Sequence, residues 1–153
     1  MPKKFQFPFE KLRRIRRFKT KEAQRRLGES YGKLYLREEW LQNLKESAAI
    51  EQENLERLIS GGKVDKGKTD VIVRTLEVND SEQKTCIAEI KEIEVEIEER
   101  RVELQEAVKE EEKFNKYREK MYENYKKVTN RKEMKIIDET ASRLSFEWEG
   151  KNV

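Results

Sequence analysis

The sequence predicts an all-α chain: a long antiparallel two-helix coiled-coil hairpin, with helix two overhanging at the open end. Three observations carry this. Leu27, Leu34, Leu41, Ala48 and Leu55 stand seven residues apart, the repeat that keeps an apolar seam on one side of a slightly underwound helix. Leu76, Gln83, Ile90, Ile97 and Leu104 repeat the spacing, and pairing the two series in opposite directions gives partners whose numbers always add to 131. Of 153 residues only 35% are hydrophobic while 44% are charged, enough for a narrow stripe on each of two helices and too little for a thick core.

Helix one is expected over about 8–59. Pro8 suits the first helical position, where its fixed φ is preset and its missing N–H is not needed. Phe9, Leu12, Ile15 and Phe18 follow at steps of three, then Ala23, Leu27 and Tyr31 at steps of four, and these predict one apolar face. Between Lys3 and Arg26 stand eleven Lys or Arg and only two Glu. Those cations are either a solvated face whose aliphatic stems cover the stripe, or a surface for an anionic partner. Gly28 and Gly32 each cost about 1 kcal/mol against Ala, which softens the helix without ending it.

The link is expected over about 60–68, opened by Ser60-Gly61-Gly62-Lys63, and its brevity forces the helices to be antiparallel neighbours. Asp65 or Thr69 caps helix two, and the pattern does not choose between them. Helix two is expected over about 69–145, followed by a tail to 153, so that one coiled-coil domain spans 1–153. Its face is Ile72, Leu76, Cys86, Ile87, Ile90, Ile93, Ile97, Leu104, Ala107, Phe114, Met121, Tyr125 and Val128. Asn79-Asp80-Ser81 is the weakest stretch, expected to bend or open locally. The glutamate-rich section remains helical, with Lys91, Arg100, Arg101 and Lys109 as spaced partners.

The register has a consequence at the open end. Phe9 is expected beside Tyr122 and Phe5 beside Lys126, after which helix one is used up while Ile136, Ile137, Ala141, Leu144, Phe146 and Trp148 extend an apolar face. An uncovered stripe of that length marks an interaction site; a segment that folds back or frays is the other reading.

Composition excludes most chemistry. There is no histidine and one cysteine, which removes the usual zinc sets, the Cys/His and Ser/His nucleophile pairs and any disulfide within the chain. Cys86 falls on the seam and reads as a small buried hydrophobe rather than a reactive thiol. Glu98-Glu99 and Glu110-Glu111-Glu112 are neighbouring solvated charges with no concave site to shift them, and the Gly61-Gly62 link lacks the spacing of a phosphate loop. No cofactor, metal or small-molecule substrate is expected. No apolar run follows the basic N-terminal residues, so no secretory signal is read there, and no stretch approaches the roughly 18 apolar residues of a membrane span. The expectation is a soluble cytoplasmic protein that is not an enzyme. Tyr35 and Leu36 point away from the seam and Trp40 flanks it, either as isolated exposed residues or as a patch for a second partner.

The opening Lys3-Lys4-Phe5-Gln6-Phe7-Pro8-Phe9-Glu10-Lys11-Leu12, with an arginine-rich helix and then Ala23 to Leu27, resembles the start of the flagellar export protein FliJ family. Lys132-Glu133 and Asp138-Glu139-Thr140-Ala141-Ser142-Arg143 look like that family's C-terminal Asp-Glu-x-Ala-x-x-Arg stretch. The resemblance implies a cytoplasmic component of the flagellar type III export apparatus, built like the two-helix stalk of a rotary ATPase. It implies as partners the hexameric export ATPase (FliI-like), which such proteins stimulate, the export gate protein (FlhA-like) and substrate chaperones, so that the membrane is reached only through partners. On this reading Ile136, Ile137, Ala141 and Leu144 enter an apolar ring in the ATPase while Arg13, Arg14, Arg16 and Arg17 face acidic loops at its mouth. Two other classes stand beside it. A nucleic-acid-binding role through the basic helix is opposed by nearby glutamates and a net charge of only +3; a structural scaffold would dimerise through the overhang.

Overall fold

A computed structural model describes residues 4–151. Lys3 and the last two residues of the expected tail lie outside that range. The fold is an all-α hairpin of two helices that pack against each other, α1 over Glu10–Ser60 and α2 over Lys66–Lys151.

Both helix starts differ from expectation for local reasons. Pro8 lies in a turn before α1, where the Glu10 amide donates to the Phe7 carbonyl at 3.2 Å and the first helical bond runs from Arg13 to Phe9 at 2.9 Å. A fixed φ suits the second position of a turn as well as it suits a helix start. α1 ends at Ser60, and Gly62 takes φ +78°, the left-handed conformation that a residue without Cβ adopts at little cost. Asp65 caps α2: its carboxylate accepts the amides of Gly67 at 3.0 Å and Lys68 at 3.4 Å. Thr69 lies inside the first turn, with its hydroxyl bonded to the Asp65 carbonyl at 2.9 Å, so α2 begins three residues earlier than expected and stays helical six residues beyond 145.

The chain divides into two compact units, one of residues 1–20 with 107–153 and one of residues 21–106. In the second, Leu27, Leu34, Leu41 and Leu55 on α1 and Leu76, Ile90, Ile97 and Leu104 on α2 are all half-buried or buried, together with Ala23, Ser30, Leu44 and Cys86. Arg26 pairs with Glu103 at 3.4 Å, Lys33 with Glu96 at 3.5 Å and Arg37 with Glu89 at 3.0 Å. Asn79 donates to the Leu44 carbonyl at 2.9 Å, and the Cys86 thiol to the Arg37 carbonyl at 3.2 Å.

The numbers of these partners add to between 123 and 129, all below the expected 131 and centred about one helical turn short of it. The reason is that each helix presents two positions per heptad. A register one turn short of 131 sets the Leu27 series opposite Ile72, Asn79, Cys86, Ile93 and Arg100, and the Leu76 series opposite Ala23, Ser30, Arg37, Leu44 and Glu51. The second position on each helix holds too many polar residues to stand out as an apolar repeat. Asn79 also explains why α2 stays helical there. Its amide bonds to Leu44 while its oxygen accepts from Gln83 at 2.6 Å, so the polar side chain is satisfied within the seam.

In the first unit the register is the same by its own contacts. Arg13 donates to the Asn115 side chain at 2.9 Å, Arg17 approaches Glu111 at 3.9 Å and the Thr20 hydroxyl bonds to the Ala107 carbonyl at 3.3 Å. Phe9, Leu12, Ile15 and Phe18, expected in the seam, are 41–67% exposed. Steps of three advance about 300° around a helix, so such a run winds away from the heptad line within two turns. The residues that face α2 are Arg13, Arg16 and Thr20. Phe5 and Phe7, ahead of the helix, supply the burial instead: Phe7 is 7% exposed, with Phe9 and Tyr117 around it, and Phe5 packs on Tyr122 and Tyr125. The expected neighbours were therefore one turn out, since Phe9 meets Tyr117 and Phe5 meets Tyr122.

Candidate partner-docking surfaces

The arginine group of the first unit is not one free face. Arg13 is held by Glu10 at 3.0 Å and by Asn115. Arg16 lies over the Phe114 ring, 6.0 Å from its centre, where a delocalised cation is attracted by the ring and its stem covers apolar surface. These two brace the hairpin. Arg14 keeps 76% of its side chain exposed despite a 3.7 Å approach to Glu10, and Arg17 keeps 54%. Of the four, Arg14 and Arg17 are the ones available to another molecule.

Beside them, Phe9 and Leu12 of α1 and Phe114 and Tyr117 of α2 line a shallow apolar groove, edged by Glu110 and Lys113. Lys113 bonds to Glu110 at 3.0 Å and holds its carboxyl below the usual carboxylate range, with Arg16 as a minor additional influence. Phe9 and Leu12, expected on the apolar face of helix one, lie in this groove instead. The alternation Phe5, Phe7 ahead of Pro8 was the available signal that an extended segment, and not a helix, carries the first aromatic contacts.

Past Thr129 every residue of α2 to Gly150 is exposed. Ile136, Ile137, Ala141 and Leu144 all lie in this overhang, with the three large side chains 58–62% exposed. They do not form a single line. Ile137, Ala141 and Leu144 follow steps of four and three along one face, whereas Ile136 is displaced by about 100°.

In the second unit, Leu36 and Trp40 lie one turn apart and line a groove with Lys33, Arg37, Glu89, Glu92 and Ile93. Tyr35 is 66% exposed on an adjacent face, one turn from Tyr31. The patch predicted from sequence is thus a Leu36–Trp40 pair with Tyr35 beside it. On the same unit Arg25 donates to both Glu22 and Glu29, and the bond to Arg25 holds the Glu22 carboxyl below its ordinary range.

Among the described residues no helix is long and apolar enough to cross a membrane. No curated protein and no solved structure matches the chain. The family model described as flagellar FliJ protein matches residues 5–149. Nearly the whole described chain, from the Phe5 that packs on α2 to the end of the exposed overhang, falls inside that match, and the chain belongs to the FliJ family of flagellar export components.

Proposed function

We propose that this protein is a non-enzymatic component that docks on the hexameric export ATPase, stimulates it, and assists delivery of substrate chaperones to the export gate at the cytoplasmic face of the apparatus. The observation that carries the reading is the overhang: some five turns of helix with large apolar side chains and no cover from the described chain. Burial of Ile137, Ala141 and Leu144 supplies affinity, and the exposed Arg14 and Arg17 steer the approach to acidic loops. Arg13 and Arg16 contribute by holding the first turns of α1 on α2.

The test is an ATPase assay with the full chain and with a chain lacking residues 130–153. Stimulation is expected to be lost while the remaining residues keep their helicity; undiminished stimulation would reject the reading. Arg14→Glu with Arg17→Glu is expected to slow association at low salt and to matter less at high salt, because exposed charges act through a screened field. The Leu36–Trp40 groove supports a second contact, with the gate or a chaperone. Trp40→Ala is expected to weaken that contact and leave ATPase stimulation unchanged, and a joint loss of both would reduce the patch to a reporter of folding.

A further inference from the structure

In the overhang, Met134, Ile137, Ala141, Leu144 and Trp148 follow one another at steps of three, four, three and four. That is the spacing of a coiled-coil seam over two heptads. The four large side chains are 58–69% exposed. Taking about 100° per residue, this stripe lies roughly 140° around α2 from the line of Arg118, Met121 and Tyr125 that faces α1 in the same unit. It is a second seam on a different face, so lengthening the pairing between α1 and α2 would not cover it.

The flanks of the stripe say what would. In this heptad frame the positions beside the seam are Arg131, Glu133, Asp138, Thr140, Ser145 and Glu147: three carboxylates, and a single cation at the near end. Lys132, Lys135 and Arg143 fall on outer positions. None of the three carboxylates has an ion-pair partner among the described residues. A second copy of the chain, in either orientation, would bring acidic flanks together with only Arg131, at one end of the stripe, to offset them, which is the arrangement that coiled-coil pairing disfavours. The same flanks turn the stripe away from an anionic lipid surface.

We propose that this face takes a single amphipathic α-helix of a partner protein, with an apolar seam of its own and Lys or Arg on both sides of it. The proposal rests on reading the overhang as a docking end, and specifies what the docked element presents.

Trp148 is one of two tryptophans, so the full chain carrying Trp40→Phe reports on the stripe alone. The probes are two synthetic three-heptad peptides with identical leucine seams, one with Lys and the other with Glu at the flanking positions. The Lys peptide is expected to shift Trp148 emission to the blue and to bind about tenfold or more tighter than the Glu peptide at low salt, as three or so charge pairs of modest strength allow. Ile137→Asp is expected to abolish the shift, and Phe146→Ala, on an outer position, to leave it in place. Equal binding of both peptides, binding of neither, or concentration-dependent dimerisation of the chain in sedimentation would overturn the proposal. The two readings fail separately. Discrimination between peptides with undiminished ATPase stimulation by the chain lacking 130–153 would remove the docking-end reading alone; loss of stimulation without discrimination would remove the helix partner alone.

Discussion

α2 carries the same heptad pattern twice, with opposite fates. From Ile72 to Leu104 its apolar positions meet α1, and Cys86 and Ile97 are buried to 3% and 7% exposure. From Met134 to Trp148 equally spaced residues meet nothing in the described chain. Both stretches are helical, since alternating Lys and Glu favour helix whether or not a partner is present. The pattern therefore reports that a seam exists. Which molecule fills it is a separate fact, and the two seams differ in their flanks: cations of α1 answer the glutamates of the first, while the carboxylates beside the second are unanswered.

Substituting matched residues would break or sharpen that contrast. Ile97→Ala is expected to cost about 2–3 kcal/mol, because it removes buried methylenes from a packed seam, and thermal unfolding followed by circular dichroism would show it. Ile137→Ala is expected to change stability by less than about 0.5 kcal/mol, as exposed substitutions do, while reducing ATPase stimulation. A large loss of stability at Ile137 would mean that the second seam is covered within the chain after all. On the outer side of the first seam, a Cβ added at Gly28 or Gly32 meets nothing within 4 Å. Gly28→Ala and Gly32→Ala are each expected to stabilise by up to about 1 kcal/mol through helix propensity, and destabilisation in the same assay would point to a hidden contact on that side.

The smallest effect concerns an exposed pair. Lys113→Ala is expected to raise the Glu110 carboxyl toward its ordinary range, readable by an NMR pH titration, because the hydrogen bond from Lys113 is the main cause of its depression. A carboxyl held low when folded contributes stability above its unfolded value and loses it as pH falls through the folded one. At so exposed a site the melting temperature is expected to move little with acidification.

Much of the fold was legible from spacing, and where it was not the cause is specific. Leu27, Leu34 and Leu41 announced α1, and Gly61-Gly62 announced the link. The register slipped by one turn because the second facing position of each heptad holds Ser30, Arg37, Glu51, Asn79 and Arg100, residues that a search for apolar repeats passes over. Phe9, Leu12, Ile15 and Phe18 were misassigned because even steps of three imitate a face while winding off it. Of the candidate docking residues, Ile137, Ala141 and Leu144 share a face as their spacing implies. Arg13 and Arg16 do not join Arg14 and Arg17, because Asn115 and Phe114, about a hundred residues away in sequence, engage them.

What the sequence by itself determined is the pair of long helices, the turn between them, and a second helix longer than its partner. Composition and heptad spacing act locally, through propensity and the direction in which each side chain leaves its helix. What only the tertiary structure decided is which polar residues enter the seam, which arginines are spent bracing it, and which face of the overhang is left open. Those outcomes depend on side chains distant in the chain meeting across the interface, where one turn of register changes every partner.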